Sequence, residues 1–131
     1  MTDQKFPVAK SDDEWRRELS PEQYRILREH GTERTGSSAL NDENRQGKYI
    51  CAGCGAELFE SDTKFNAHCG WPSFDKARQG AVATVEDRSH GMVREEVLCA
   101  KCGGHLGHVF EDGPTETGLR YCMNGAALNF E

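Results

Sequence analysis

Cys51-Ala52-Gly53-Cys54 and Cys99-Ala100-Lys101-Cys102 are the two stretches that decide the fold of this 131-residue chain. Each is a Cys-x-x-Cys pair, and two such pairs match the four thiolates of a tetrahedral zinc site. Residues 55–98 separate the pairs, far more than the roughly 15–20 residues of a compact zinc ribbon. We therefore expect a structural Zn²⁺ bound by Cys51, Cys54, Cys99 and Cys102 that ties two distant hairpins together. A redox-active Cys-x-x-Cys pair is the alternative interpretation.

The N-terminal third carries signals for two short helices and an arm. Ser11 and Ser20 each precede an acidic or amide residue three positions further on, which is the capping-box pattern at a helix start. Gly31 is expected to end the second helix, because glycine accepts the left-handed conformation common at that point. Residues 32–47 are polar and without apolar periodicity, so they are expected to form an extended connecting arm.

Beyond Gly47 the sequence predicts a mainly β body. Fourteen glycines and a hydrophobic fraction of 36% favour turns and short strands over a helical bundle. Strand-like runs separated by Gly, Pro, Asn and Asp cover residues 48–50, 57–59, 81–85, 92–98, 105–110, 119–123 and 127–130. We expect one domain over residues 1–131, with a helical segment and arm over 1–47 and a zinc-tied antiparallel β core over 48–131.

Charge and apolar pattern exclude several classes of partner. The formal net charge of −6 argues against a nucleic acid, because binding to the phosphate backbone depends on clustered Lys and Arg. No apolar run is long enough to cross a bilayer, and residues 1–5 lack the basic-then-apolar pattern of a signal peptide. We therefore expect a cytoplasmic, reducing location, with neither nucleic acid nor membrane as partner.

Cys69 and Cys122 remain once four cysteines are assigned to zinc. Two such thiols can be structural residues, a disulfide pair or a redox couple, and we favour a redox couple with Cys122 as the nucleophile. Cys122 lies within Arg120-Tyr121-Cys122-Met123-Asn124-Gly125. In an extended segment Arg120 and Asn124 share the face of Cys122, and the charge of Arg120 would favour its thiolate.

Two further hexapeptides contain residue types suited to chemistry, His105-Leu106-Gly107-His108-Val109-Phe110 and Cys69-Gly70-Trp71-Pro72-Ser73-Phe74. The two imidazoles fit acid–base or hydrogen-bonding work better than a second metal site, which would lack an obvious third protein ligand. On their own, the histidines are more typical of polar residues in a strand and turn. Trp71 and Phe74, taken alone, are more typical of a core than of a substrate pocket.

Together with the Cys-x-x-Cys pairs, these three hexapeptides closely resemble the type-B methionine sulfoxide reductases. The resemblance runs from about Ser11, through Gly31-Thr32-Glu33-Arg34, to Phe130. It implies a β-tent, Mss4-like fold of two antiparallel sheets, with zinc at the end away from the active site. It also implies peptide-methionine (R)-S-oxide reductase activity, which returns the R epimer of methionine sulfoxide in oxidised proteins to methionine.

The resemblance assigns roles to the candidate site residues. Cys122 would attack the sulfoxide sulfur and be left as a sulfenic acid, and Cys69 would resolve it as a Cys69–Cys122 disulfide that thioredoxin reduces. Trp71 would face the substrate methyl group, with Phe74 and Phe110 supporting it from behind. The residues implied to line the site and hold the sulfoxide oxygen or a water are His105, His108 and Asn124. A monomer is expected.

The chain departs from the usual pattern of these reductases at several positions. Thr35-Gly36 stands where many members have Pro and an apolar or small residue, and His68 adds a titratable group beside Cys69. Other function classes explain less of the sequence. A binding module or nucleotide-exchange chaperone of similar fold would use the four zinc ligands but leave the Cys122 segment idle. A nucleic-acid zinc ribbon conflicts with the charge and with the long gap between the cysteine pairs.

Overall fold

The computed structural model describes residues 6–67, 69–88 and 91–131. His68, singled out above as a neighbour of Cys69, lies outside the described residues. Within these described ranges, nine short strands and two α-helices form one antiparallel β assembly with the helices at its N-terminal end. The expectation of a mainly β fold with two antiparallel sheets and short N-terminal helices is confirmed.

Both helices begin with the capping boxes that the sequence indicates. Helix α1 spans Asp12–Glu18 and helix α2 spans Pro21–Glu29, with Ser11 and Ser20 as their N-caps. Helix α2 stops before Gly31 as expected, and the left-handed residue at its end is His30, with φ of 58°. Gly31 is required for space instead, because a Cβ there would lie 2.9 Å from the carbonyl oxygen of Arg25.

The smaller sheet joins both ends of the β region. Strands β1 (Lys48–Cys51), β2 (Glu57–Glu60) and β9 (Leu128–Phe130) lie in the order β2-β1-β9, all antiparallel. Because β9 is the last strand of the chain and pairs with the first, the sheet is closed by a long-range contact rather than by a hairpin.

The larger sheet has six strands in the order β3-β4-β8-β7-β6-β5. Their bounds are Lys64–Phe65 for β3, Ser73–Phe74 for β4, Val82–Asp87 for β5, Arg94–Cys99 for β6, His105–Phe110 for β7 and Arg120–Met123 for β8. The two-residue strands β3 and β4 were not predicted from the sequence, whereas the other strands lie close to the predicted runs. The pairing of β4 with β8 is what brings the Cys69 segment beside Cys122.

The core lies between the sheets and under α2. Phe59 stacks on Phe74 at a ring-centroid distance of 4.3 Å, and Tyr49 meets Phe74 edge-on at 5.0 Å. Ile26 and Leu27 of α2 are fully buried, and α2 contacts both β7 and the short 3₁₀ turn Gly125–Ala127. The N-terminal helices therefore hold the strand and the turn that flank the cleft described below.

Candidate active site

The four cysteines of the Cys-x-x-Cys pairs converge where the two sheets meet. Cys51 ends β1 of the small sheet and Cys99 ends β6 of the large sheet. The Sγ atoms of Cys51 and Cys102 are 3.8 Å apart, and those of Cys54 and Cys99 are 3.6 Å apart. A tetrahedron with metal–sulfur bonds of about 2.3 Å has sulfur–sulfur edges of about 3.8 Å. The four thiols are therefore positioned to hold a metal ion, which would link the two sheets.

Cys69 and Cys122 lie together at the face of the large sheet. Pairing of β4 with β8 sets Ser73 opposite Cys122, and a turn at Gly70, with φ of 89°, brings Cys69 back towards them. The Sγ atoms of Cys69 and Cys122 are 3.1 Å apart, and Cys69 Sγ is 3.3 Å from Ser73 Oγ. The two cysteines left over from the metal group are thus neighbours in space, both half-buried and both free thiols.

The two sulfurs differ in their tendency to ionise. Burial, reinforced by the Cys69 sulfur, raises the pKa of Cys122 to about 12, although the charge of Arg120 acts in the opposite direction. Partial burial alone would raise the pKa of Cys69, but hydrogen bonds with Ser73 and Cys122 outweigh it and lower the pKa. At neutral pH Cys122 is therefore a protonated thiol, and use of its sulfur as a nucleophile requires a group that accepts the proton.

Arg120 lies beside Cys122 and is held there from three sides. Its Nη1 is 3.6 Å from Cys122 Sγ, while its Nε and Nη2 donate to the carboxylate of Asp112 at 2.8 and 3.1 Å. The guanidinium also lies over the ring of Phe110, 4.5 Å from the centroid. This arrangement fixes a positive charge next to the Cys122 sulfur, as the two-residue spacing on β8 predicts.

His108 faces Cys122 directly across the β7–β8 pair. Side chains at opposed positions of an antiparallel pair have Cβ atoms about 4.5–5.5 Å apart. His108 Nε2 hydrogen bonds to Asp87 Oδ2 at 2.8 Å, and Arg94 contacts the same oxygen at 3.4 Å. Burial lowers the pKa of His108 against the opposing effect of Asp87. A neutral His108 that donates from Nε2 to Asp87 has Nδ1 free of a proton and able to accept one.

His105 is placed behind the site rather than in it. It is only 2% exposed, and its Nδ1 hydrogen bonds to Glu96 Oε2 at 2.6 Å. His30 Nδ1 bonds to the same oxygen of Glu96, and the ring of His105 meets that of His108 edge-on at 5.5 Å. Burial acts to raise the pKa of Glu96, but the hydrogen bonds from His105 and His30 outweigh it and bring the pKa to about 2.

Asn124 and Trp71 are both held by the arm that connects α2 to β1. Asn124 Oδ1 accepts a hydrogen bond from the backbone N–H of Glu33 at 2.9 Å, and Asn124 Nδ2 donates to the carbonyl of Leu106 at 3.1 Å. The indole Nε1 of Trp71 donates to the carbonyl oxygen of Glu33 at 3.1 Å. The arm also contacts the turn before Trp71, because the backbone N–H of Gly36 donates to the carbonyl oxygen of Gly70 at 2.8 Å. This contact involves Thr35-Gly36, the arm residues that differ from the usual pattern of the reductases that the sequence resembles.

These residues surround a cleft of about 260 Å³. Its walls combine aromatic rings, cations and hydrogen-bonding groups, contributed by Thr32, Trp71, Arg94, Gly107, His108, Phe110, Arg120, Cys122 and Asn124. A larger hollow of about 690 Å³ between Glu60 and Gln79 has neither cysteine nor histidine in its walls. The cleft at Cys122 is therefore the one suited to thiol chemistry, even though it is the smaller.

The cleft contains residues that sequence reasoning missed. Phe110 was expected to lie behind Trp71, but it forms part of the cleft wall beneath Arg120. The sequence did indicate this position for Phe110, because Phe110 is two residues from His108 on β7 and so lies on the same face of the strand. Gly107 allows β7 and β8 to meet here, since a Cβ would lie 2.1 Å from Cys122 O. Nothing in the sequence pattern pointed to Arg94 as a cleft residue.

Comparisons with known proteins agree on one family. Residues 19–131 match the SelR domain. A curated peptide methionine sulfoxide reductase MsrB from Bradyrhizobium diazoefficiens is 61% identical over 125 residues, covering 95% of this chain and 90% of the relative. Those from Leptospira interrogans and Agrobacterium fabrum are each 57% identical, covering 96% and 100% of this chain and 97% and 98% of the relatives.

A solved structure extends the likeness at the level of the fold. The crystal structure of the Mis18 "Yippee-like" domain superposes with a TM-score of 0.54 at 18% identity, covering 66% of this chain and 96% of that domain. Identity this low relates the architecture alone. No helix among the residues that the structure describes has the length and apolar character needed to span a membrane.

Proposed function

Because the chain belongs to the SelR domain family and is a peptide methionine sulfoxide reductase of the MsrB type, we propose that the cleft at Cys122 is its active site. The enzyme reduces methionine sulfoxide and so repairs oxidised proteins. We propose the R epimer in oxidised proteins as its substrate, Cys122 as nucleophile and Cys69 as the resolving cysteine. The observation that carries this proposal is the 3.1 Å separation of the Cys69 and Cys122 sulfurs, with Cys122 in the wall of a cleft that also contains Trp71, His108 and Asn124.

In the first step the Cys122 sulfur attacks the sulfoxide sulfur. The oxygen passes to Cys122, methionine leaves as the thioether, and the cysteine sulfur is oxidised by two electrons while the substrate sulfur is reduced by two. The half-buried Trp71 indole, held by its bond to Glu33 O, supplies a flat surface for the methyl group. Phe110 adds a second aromatic wall on the side of Arg120.

The attack needs a proton to move from Cys122 to the sulfoxide oxygen. Neutral His108 lies across the strand pair from Cys122, and its Nδ1 is available because Nε2 is engaged by Asp87. We therefore assign His108 as the group that accepts the thiol proton and returns it to the oxygen. Arg120 stabilises the charge on sulfur between these events. His105, which does not line the cleft, supports the ring of His108 from behind.

In the second step the Cys69 thiol attacks the sulfenic sulfur of Cys122. One water leaves and a Cys69–Cys122 disulfide forms. A dithiol reductant then exchanges with this disulfide and restores both thiols, and we propose thioredoxin for that role. Because the cycle depends on a dithiol reductant, we also propose a cytoplasmic, reducing location. We further propose that the protein acts as a monomer.

We propose Zn²⁺ as the ion of the four-cysteine group. Sulfur separations of 3.6 and 3.8 Å support this assignment because they match the edge of a zinc–thiolate tetrahedron. With all four positions taken by thiolates, bound zinc would be structural and would hold the small and large sheets together. The sulfurs of Cys69 and Cys122 belong to neither pair, so the metal and the reaction use separate cysteines.

The deciding assay offers the protein racemic N-acetylmethionine sulfoxide with dithiothreitol and resolves the remaining epimers on a chiral column. We expect the R epimer to disappear while the S epimer remains. Consumption of the S epimer instead would overturn the stereochemical proposal, and consumption of neither would overturn the reductase assignment. A Cys122→Ser protein run in parallel controls for direct reduction by dithiothreitol.

A further inference from the structure

Glu33 is a buried acidic residue on the arm, only 3% exposed. Its Oε2 accepts the backbone N–H of Gly125 at 2.8 Å, and its Oε1 accepts that of Ala126 at 2.9 Å. Within the described ranges no Lys, Arg or His forms an ion pair with it. Burying a carboxylate is unfavourable unless it is hydrogen-bonded, and here the backbone just after Cys122 supplies the bonds. The side chain therefore anchors the arm to the C-terminal end of the catalytic strand.

The backbone of Glu33 makes two more contacts, and both go to cleft residues. Its N–H donates to Asn124 Oδ1 at 2.9 Å, and its carbonyl accepts from Trp71 Nε1 at 3.1 Å. Trp71 belongs to the Cys69 segment and Asn124 to the Cys122 segment. One residue thus connects the two segments that build the cleft.

The hydrogen bond from the backbone N–H of Glu33 also sets the orientation of the Asn124 side-chain amide. With Oδ1 accepting from Glu33 and one N–H given to Leu106 O, the second N–H of the amide is left for the cleft. That N–H is a donor suited to a sulfoxide oxygen, whereas the indole of Trp71 is suited to the methyl group. The distance between these two groups depends on Glu33.

The arm packs closely against both the Cys69 segment and the Cys122 segment, and this packing restricts its movement. A Cβ on Gly125 would lie 1.9 Å from Ser38 Oγ, and a Cβ on Gly70 would lie 2.2 Å from Thr35 Cγ2. Each catalytic segment thus presents a glycine to the arm, and the arm fills the space. The position of Glu33 is determined by packing as well as by hydrogen bonds.

Building on the function proposed above, we propose that Glu33 is a positioning residue for epimer selectivity. A sulfoxide is chiral because methyl, oxygen and the remaining side chain occupy three different directions around sulfur. An enzyme distinguishes the epimers by fixing where at least two of these groups go relative to the attacking atom. By holding Trp71 and Asn124 at one spacing, Glu33 fixes the methyl and oxygen positions together.

The test compares Glu33→Gln and Glu33→Ala with the unmodified enzyme, using purified R and S epimers of N-acetylmethionine sulfoxide and dithiothreitol. Gln keeps the length but offers one acceptor where two backbone N–H groups need one each, and Ala removes both. We expect KM for the R epimer to rise about tenfold with a smaller change in kcat. We also expect the ratio of kcat/KM for the R epimer to kcat/KM for the S epimer to fall by about tenfold. The slow S epimer is measured at a higher enzyme concentration.

A second measurement separates positioning from general damage. Formation of the Cys69–Cys122 disulfide after one turnover, followed by thiol counting, should be unchanged because neither sulfur contacts Glu33. The matched control is Glu29→Gln, an exposed acid at the end of α2, which should leave both epimer constants unaltered. Circular dichroism establishes that each variant is folded, and Glu33→Gln decides the matter if Glu33→Ala does not fold.

Two outcomes would overturn the proposal. One is a Glu33→Gln enzyme with unaltered KM and selectivity. The other is a fall in kcat for the R epimer with KM and the R-to-S ratio unchanged, which is the signature of a merely structural residue. Failure of the unmodified enzyme to consume either epimer would instead overturn the proposed function, so the two failures are distinguishable.

Discussion

The four cysteines clustered where the two sheets meet and the neighbouring pair Cys69 and Cys122 carry the same thiol group in different surroundings. Three of the four, Cys51, Cys99 and Cys102, are fully buried, and the group draws on both sheets. Cys69 and Cys122 are half-buried and belong to one sheet and the turn before it. A fixed guanidinium and an imidazole lie beside the second group.

The two groups indicate that neighbouring side chains and secondary-structure elements, more than the thiol itself, separate a structural cysteine from a reactive one. A metal bound by cysteines of both sheets would contribute to folding because it would cross-link the two sheets. A sulfur exposed to a cleft, by contrast, is free to meet a substrate without altering the sheets. Variants in the two groups should therefore fail in different ways.

The largest effect is expected from Cys99→Ser. Removing one of four thiolates should abolish tight metal binding, which contributes about 10–16 kcal/mol in small zinc domains, while a whole domain is stable by about 5–15 kcal/mol. We expect loss of bound zinc together with loss of the folded circular dichroism spectrum at 25 °C. A zinc-free Cys99→Ser protein with native stability would contradict the structural role of the group.

Cys122→Ser should give the opposite result. We expect native metal content and unfolding temperature, with methionine formation reduced by about 10⁴-fold or more because the nucleophile is absent. Measuring both properties on one preparation provides the contrast with Cys99→Ser. Substantial residual reduction would mean that another group attacks the sulfoxide.

Cys69→Ser should separate the two steps of the reaction. About one equivalent of methionine per enzyme should still form, because Cys122 is intact, but thioredoxin-driven turnover should stop for lack of a disulfide. The measurement is methionine formed per enzyme, first without and then with thioredoxin. Full recycling of this variant by thioredoxin would remove Cys69 from the cycle.

His108→Gln tests the proton route at the reactive pair. We expect single-turnover methionine formation to slow by about 10²–10⁴-fold, whereas Glu29→Gln, at an exposed residue of α2, should leave it unchanged. In the proposed cycle the neutral form of His108 accepts the proton. Burial lowers the pKa of His108 below the ordinary 6.5, and the charges of Arg94 and His105 lower it further. The hydrogen bond with Asp87 acts in the opposite direction and is outweighed. In the unmodified enzyme, activity should therefore be retained near pH 6.5 and decline only at lower pH.

The smallest effect is expected at Glu96, which lies on β6 between the two cysteine groups. Its pKa of about 2 lies below the ordinary 4.5, so its contribution to stability is complete above about pH 4.5 and is lost as the pH falls towards 2. Glu96→Gln should lower the free energy of unfolding at pH 7 by about 1.5–3 kcal/mol. Denaturant unfolding between pH 2 and 7 measures this, and an unchanged pH profile would contradict it.

Much of the fold could be predicted because its signals are local. Capping boxes at Ser11 and Ser20 and the run over residues 105–110 appear in the structure where the sequence indicated them. Strand β4 was missed because two residues carry no periodicity, and its pairing with β8 is a long-range contact. Proximity of Cys69 to Cys122 depends on that pairing, so the sequence could suggest a couple but not its geometry.

Other parts of the site depend on side chains that have no pattern. Glu33 lies in a polar arm, and nothing in its neighbours distinguishes a buried anchor from a solvated acid. The sequence alone does not distinguish His105 from His108. In the structure the two histidines lie on either side of an irregularity in the β6–β7 pairing, where the register shifts between Val97 and Leu98. His108 faces Cys122 while His105 turns to Glu96.

The 3.1 Å between the sulfurs of Cys69 and Cys122 also bears on how the enzyme would survive the conditions in which it is needed. Methionine sulfoxide accumulates when peroxide is abundant, and peroxide can carry a sulfenic acid on to the irreversible sulfinic state. In the proposed cycle, Cys69 already lies within reach of Cys122, so disulfide formation requires no loop rearrangement and competes at once with a second oxidant molecule. The proposed resolving step therefore limits overoxidation through the proximity of the two sulfurs.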